Sequence, residues 1–223
     1  MDKFIIGIDE VGRGALAGPV TVAAVCLPKK MRFPAVVPVP YRSTGQAPAG
    51  TQVCLELKDS KKLSPKQRET WFEYLKNHPK INYAVARVYP RQIEKRNISG
   101  AANLAAMRAY KHLVHSSKFM VHGAGHKVVL DGGLFLGSKK AQPENAKTVT
   151  KGDEKFGVVA AASIVAKVSR DRAMVRLAKQ HPQYGFEIHK GYGTKKHMAA
   201  IKRYGPTRVH RLTFLGKFDN MIE

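Results

Sequence analysis

Apolar positions fall into short runs near the front of the chain and longer helical stretches behind them. Phe4, Ile5, Ile6 and Ile8 form a mostly β-branched run that Asp9 and Glu10 end, with Gly12-Arg13-Gly14 just beyond. A second apolar run, 20–27, follows after a short link, so the two predict buried strands paired as an antiparallel hairpin. Ser64 and Pro65 open a helix: a hydroxyl at the cap, proline in the first turn, and Gln67 three residues after the cap for a capping box. That helix runs to about Asn77. Alternation over 81–88 predicts a strand, the Ala- and Leu-rich stretch 99–115 a helix, and 126–130 a strand closed by Asp131-Gly132-Gly133. From 156 to 179 the pattern is a helix whose first turns are small and apolar, a surface able to lie close on a sheet. Stretches 34–52, with prolines at 34, 38, 40 and 48, and 134–150 read as loops.

Strands at the front, three substantial helices among and after them, and a polar, aromatic tail with short helices around 195–204 fit an α/β sandwich with a mixed sheet. A regular βαβ repeat fits less well. A chain of 223 residues suits one domain with a modest appendage. The expected division is a main domain over 1–180 and a basic, mostly helical extension over 181–223 packed on it.

Charge changes this picture from a generic fold to a protein with a partner. Lys and Arg number 39 against 16 Asp and Glu, a formal charge of +23. Self-repulsion on that scale implies a polyanion as counter-charge, nucleic acid or an anionic membrane. The membrane is the poorer candidate, because no apolar run approaches the roughly 20 residues of a spanning helix. The N-terminus also lacks the features of a signal peptide, so the expected compartment is the cytoplasm and the expected state a monomer. Two cysteines, Cys26 and Cys54, supply neither a disulfide framework nor a four-ligand zinc site.

In so basic a chain the few acids are informative. Asp9 and Glu10 end the first strand, Asp131 ends the 126–130 strand, Asp153 precedes the apolar helix, and no acid lies between Glu10 and Glu56. Each alone reads as a strand end or a helix cap, Asp153 most readily as a cap. As a set, carboxylates gathered by a sheet repel one another unless a cation lies between them. Oxygen-only ligation selects Mg²⁺ or Mn²⁺, and two such ions serve phosphodiester hydrolysis. The Gly12-Arg13-Gly14 and Gly18 spacing is one residue too long for a dinucleotide fingerprint, and Asp9 and Glu10 would repel a pyrophosphate.

The ordered motifs resemble ribonuclease HII. Asp9-Glu10-Val11-Gly12-Arg13-Gly14 is similar to the family's signature, and Asp59-Ser60-Lys61-Lys62-Leu63-Ser64 to its second motif. Leu130-Asp131-Gly132 corresponds to the third, and Lys151-Gly152-Asp153 with Ala161 through Val168 to the fourth. His189-Lys190-Gly191-Tyr192 and His210-Arg211 with Phe214 continue the order. The resemblance implies a ribonuclease H-like mixed sheet flanked by helices, with a helical C-terminal part. It implies an endonuclease that cuts the RNA strand of RNA–DNA hybrids and cuts 5′ to single ribonucleotides in duplex DNA, as in ribonucleotide excision repair. The implied products are a 3′-hydroxyl and a 5′-phosphate.

By position, Asp9, Glu10, Asp131 and Asp153 fall on the family's metal-binding, catalytic carboxylates, for two Mg²⁺ or Mn²⁺ ions. Gly12, Arg13 and Gly14 are implied substrate contacts; glycines there let backbone groups reach a 2′-hydroxyl. Turn chemistry alone would also explain them, and Arg13 could brace the loop instead. Tyr192 is implied to pack on the sugar at the RNA–DNA junction, and Lys61 and Lys62 to contact phosphates, a solvated lysine pair being the alternative. The histidines read as packing or hydrogen-bonding groups. The expected partners are RNA–DNA hybrid and ribonucleotide-containing duplex. A replication clamp remains open as a partner, although 218–223 holds no convincing clamp-binding peptide. The alternative function is a catalytically inactive nucleic-acid-binding protein of the same fold.

Overall fold

The computed structural model describes residues 3–34, 57, 63–116 and 125–216. The expectations for most of the 34–52 loop, for Cys54, for the Asp59 to Lys62 motif with Lys61 and Lys62, and for 218–223 lie outside the described residues.

Among the described residues the sheet has five strands in the order β3-β2-β1-β4-β5. They are β1 (Phe4–Val11), β2 (Val20–Pro28), β3 (Asn82–Val88), β4 (His126–Asp131) and β5 (Ala146–Val149). β1 to β3 pair antiparallel, and β4 runs parallel to both β1 and β5. The sheet is therefore mixed, with β1 at its centre. Register places Ile8 opposite Leu130, so β1 and β4 end side by side.

Period-two alternation sends side chains to two cores. Ile6, Ile8, Val20, Val22, Ala24, Val128 and Leu130 pack beneath α2 (Pro90–Ser116), whose alanines 101, 102, 105, 106 and 109 are fully buried. Ala23, Val25, Leu27 and Val129 face the opposite core, where α1 (Pro65–Asn77) and α4 (Gly157–Gln180) lie. Closeness there is extreme: a Cβ on Gly7 of β1 would stand 2.3 Å from the Val158 carbonyl oxygen. The small residues at the start of α4 make that approach feasible.

The capping box of α1 is present, Ser64 accepting from the Gln67 N–H and Gln67 accepting from the Ser64 N–H. α2 starts nine residues earlier than its alanine pattern suggested. It bends at Asn97, which has φ +56°, and the Asn97 side chain accepts the Gly100 N–H to restart the helix. β5 lies within the stretch 134–150, where the pattern predicts loop. A helical turn, α3 (Gly152–Lys155), holds Asp153, so this residue does not cap α4; Phe156 occupies that position without a side-chain cap bond. The C-terminal residues form α5 (Phe186–His189), α6 (Lys195–Tyr204) and α7 (Leu212–Leu215) around a small core shared with Leu16 and Ala17 after β1 and with Met174 and Ala178 of α4.

Candidate active site

The segment after β1 is stitched to the C-terminal elements by backbone bonds. N–H groups of Leu16 and Ala17 donate to the Gly191 carbonyl, Gly18 donates to Val209, and Arg211 donates to Leu16. Two fully buried arginines complete the join. Arg170 donates to the carbonyls of Pro19 and Ala17, and Arg211 to those of Gly18 and Arg13. Burial, aided by the Arg170 charge, pulls the Arg211 pKa down to about 9. Glycine loop and C-terminal part thereby form one rigid rim.

Within that rim lies a cavity of ≈ 390 Å³, walled by Asp9, Glu10, Asp131, Gly12 to Gly14, Tyr192, Arg68, Ser163 and Lys167 among others. Asp9 is buried and accepts bonds from Ser163 of α4 and from the Glu10 N–H. Burial pushes its carboxyl well above the ordinary range, and the charges of Glu10 and Asp131 push the same way. Glu10 is likewise raised by burial, against the pull of Arg13, which contacts it at 3.3 Å. Its Oε2 is buried without a hydrogen-bond partner. Asp131 accepts the Gly152 N–H at 2.7 Å, which fastens the start of α3 to the end of β4 and sets buried Asp153 one residue further on. Asp153 itself accepts the Glu154 N–H.

The sheet thus brings Asp9, Glu10 and Asp131 to one cavity wall, whereas Asp153, buried in α3, does not line that cavity. Glu154 is exposed and pairs with Lys151, away from the set. No group of three or more His, Cys, Asp or Glu side chains among the described residues is already arranged about a single point for an ion. Each carboxylate instead has a local donor. The donor set nevertheless fits a hard dication: all ligating atoms are oxygens, two carboxyls are buried at the cost of mutual repulsion, and one buried oxygen lacks a partner.

Arg13 reaches both Glu10 and the Ser99 hydroxyl, so its side chain braces β1 against α2. Gly12 has φ +88° and packs on Arg170, whereas Gly14 is exposed with nothing within 4 Å of where a Cβ would be. Tyr192 is half-buried over the Arg170 guanidinium, 5.4 Å from its ring centroid. Arg68, Ser163 and Lys167 were not anticipated. Ser163 and Lys167 stand four apart on α4, and Asp171, four further on, pairs with Lys167 at 2.9 Å, a spacing that marks one polar stripe; Arg68 carries no such signal among so many basic residues.

Known structures share this fold. The Mn²⁺ complex of Bst-RNase HIII aligns with a TM-score of 0.70 at 19% identity, over 99% of this chain and 70% of that one. Ribonuclease H2 from Pyrococcus horikoshii aligns at 0.62 with 22% identity over 98% of both chains. A TM-score of 0.62, at 26% identity over 94% of both chains, comes from the PCNA:RNase HII complex of Archaeoglobus fulgidus. The fold is of the ribonuclease H class.

The ribonuclease HII family model matches residues 6–36 and 48–217. Ribonuclease HII of Endomicrobium trichonymphae is 42% identical over 210 residues, 94% of this chain and 84% of that protein. The Caldicellulosiruptor bescii enzyme is 38% identical over 213 residues, 96% and 87% of the two chains. The chain belongs to the ribonuclease HII family, and as such is a ribonuclease H, an endoribonuclease of RNA–DNA hybrids.

Proposed function

We propose that the enzyme cuts 5′ to single ribonucleotides in duplex DNA as well as within hybrids, leaving 3′-hydroxyl and 5′-phosphate ends. The observation that carries the catalytic assignment is the wall of Asp9, Glu10 and Asp131, two of them raised in pKa by burial beside like charge. Asp9, Glu10, Asp131 and Asp153 would hold two Mg²⁺ or Mn²⁺ ions. Such ions, when bound, lower the pKa of water and neutralise charge on the departing oxygen.

The chain's own residues orient the substrate. Ser163 fixes the Asp9 carboxylate and Arg13 fixes Glu10, which keeps the ligand set aimed before anything binds. Gly14 leaves open space in which a sugar can approach the main chain, so its backbone is the natural contact for a 2′-hydroxyl. Gly12 shapes that turn, and the Arg13 backbone, held by Arg211, lies between them. Tyr192 presents its ring across the cavity to the adjacent sugar, where a deoxyribose fits best. Arg68 and Lys167, and Lys61 and Lys62, supply phosphate contacts. The basic residues of 181–216 form one side of the groove, an appendage to the main domain over 1–180.

We place this activity in the cytoplasm, in ribonucleotide excision repair, and in a monomer. The clamp complex of the Archaeoglobus relative makes a replication clamp a candidate partner. The deciding experiment is a labelled duplex bearing one ribonucleotide, incubated with and without divalent ion, with the nick mapped. A metal-dependent nick on the 5′ side of the ribonucleotide is expected. A nick elsewhere overturns the 5′ assignment, and binding without any cut is the outcome of the inactive hybrid-binding alternative.

A further inference from the structure

Behind the rim lie three buried histidines, His189, His197 and His210, which the hydrolysis does not use. Their hydrogen bonds assign the protons. Nδ1 of His210 accepts the Thr207 N–H at 3.0 Å, so the neutral ring carries its proton on Nε2. That nitrogen faces Nε2 of His197 at 3.2 Å, which must then accept. The remaining proton of His197 sits on Nδ1 and is donated to the Tyr192 carbonyl at 3.0 Å. A second proton on either ring would set two N–H groups against each other or against the Thr207 N–H. Burial agrees, lowering the pKa of both rings to about 4.

The Tyr192 backbone is therefore held at both ends. Its N–H donates to His189, and its carbonyl accepts from Thr194 at 2.8 Å as well as from His197. His189 stacks on His197 with centroids 4.4 Å apart and an interplanar angle of 17°, accepts the Gly191 N–H on Nδ1 and donates through Nε2 to the Tyr184 carbonyl. Gly191 in turn is bonded to the glycine loop.

We infer that His210 and His197 are positioning residues: a neutral two-ring relay that fixes Tyr192 against the glycine loop and thereby sets the enzyme's preference for an RNA–DNA junction. The inference rests on the role proposed above for Tyr192. It concerns binding geometry, not proton transfer, since neither ring touches the cavity.

The test is the ratio of kcat/KM for a duplex with one ribonucleotide to kcat/KM for a uniform hybrid. His197→Asn keeps a donor where Nδ1 stands; His197→Gln moves the amide to the Nε2 position and abandons the Tyr192 carbonyl. The Gln variant is expected to lower the ratio about tenfold, mainly through KM on the junction substrate, and the Asn variant to stay within about twofold of wild type. Tyr192→Ala separates the two levels of argument. If it leaves the ratio unchanged, the reading of Tyr192 fails. If it lowers the ratio while His197→Gln, folded by circular dichroism, does not, the relay is overturned. Wild-type protein with ¹⁵N-labelled histidine gives a test independent of any variant: Nδ1–H on His197 and Nε2–H on His210 are expected, and the reverse assignment overturns the relay.

Discussion

A Cβ on Gly12 would stand 2.2 Å from Nε of Arg170, on a backbone whose φ is +88°; Gly14 two residues later has neither constraint. Gly12→Ala should cost about 2 kcal/mol, read as a fall in denaturation midpoint. Gly14→Ala should unfold like wild type and reveal itself only as a raised KM for ribonucleotide-bearing duplex. Asp9 makes the opposite trade. With a chelator present, Asp9→Asn should raise Tm, by roughly 2–4 °C per kcal/mol of relieved repulsion and desolvation, and with Mg²⁺ restored it should show no activity. That Asp9, Glu10 and Asp131 share one cavity wall was legible in the sequence because acids are scarce there and these stand near strand ends. The histidines were legible as packing or hydrogen-bonding groups but not by partner, and the buried arginines not at all, since Arg170 and Arg211 bond backbone carbonyls of a segment more than 150 residues away, which leaves no mark in composition.

At the scale of elements, the α4–β1 contact carries the site. Asp9 is aimed by Ser163 only because α4 lies against Gly7 with no room for a side chain between them. Gly7→Ala should therefore destabilise the fold by roughly 3 kcal/mol and depress kcat in whatever fraction folds, measurable by urea titration alongside active-site counting. Small residues at the start of α4 announced this contact, and the hairpin of β1 and β2 followed from two apolar runs with a short link. The first turns of α2 escaped notice because Asn97 interrupts the periodicity with a left-handed φ. β5 escaped because four residues at a sheet edge, none of them buried, carry too little apolar pattern. The link from β4 to α3 depends on a single turn whose Gly152 N–H is claimed by Asp131, and no spacing rule foretells such a contact.

For the whole molecule, charge and protonation give two expectations. A net charge of +23 against a phosphate backbone predicts a steep salt dependence: a six-phosphate footprint loses roughly a thousandfold in affinity between about 50 and 200 mM salt, and a flat profile would show that the excess charge lies elsewhere. His197 and His210 titrate near pH 4 when folded, below the ordinary value of 6.5, so the unfolded chain takes up protons first as pH falls. Their contribution to stability is full above about pH 6.5 and declines between there and pH 4. Asp9 and Glu10, raised in the folded chain, act with the opposite sign, so the histidine effect is best read by denaturant titration of an Asp9→Asn, Glu10→Gln background.

The account stands most directly on one comparison: cleavage of a labelled RNA–DNA hybrid by wild type, Asp131→Asn and Asp153→Asn across a Mg²⁺ titration, with hybrid affinity measured in parallel. Wild type should cut only when the ion is present. Each variant should lose at least about a thousandfold in rate while its affinity for the hybrid stays within about threefold. Cutting at the wild-type rate by either variant, or equal cutting by wild type without the ion, would contradict the assignment of these carboxylates as the metal-holding catalytic set.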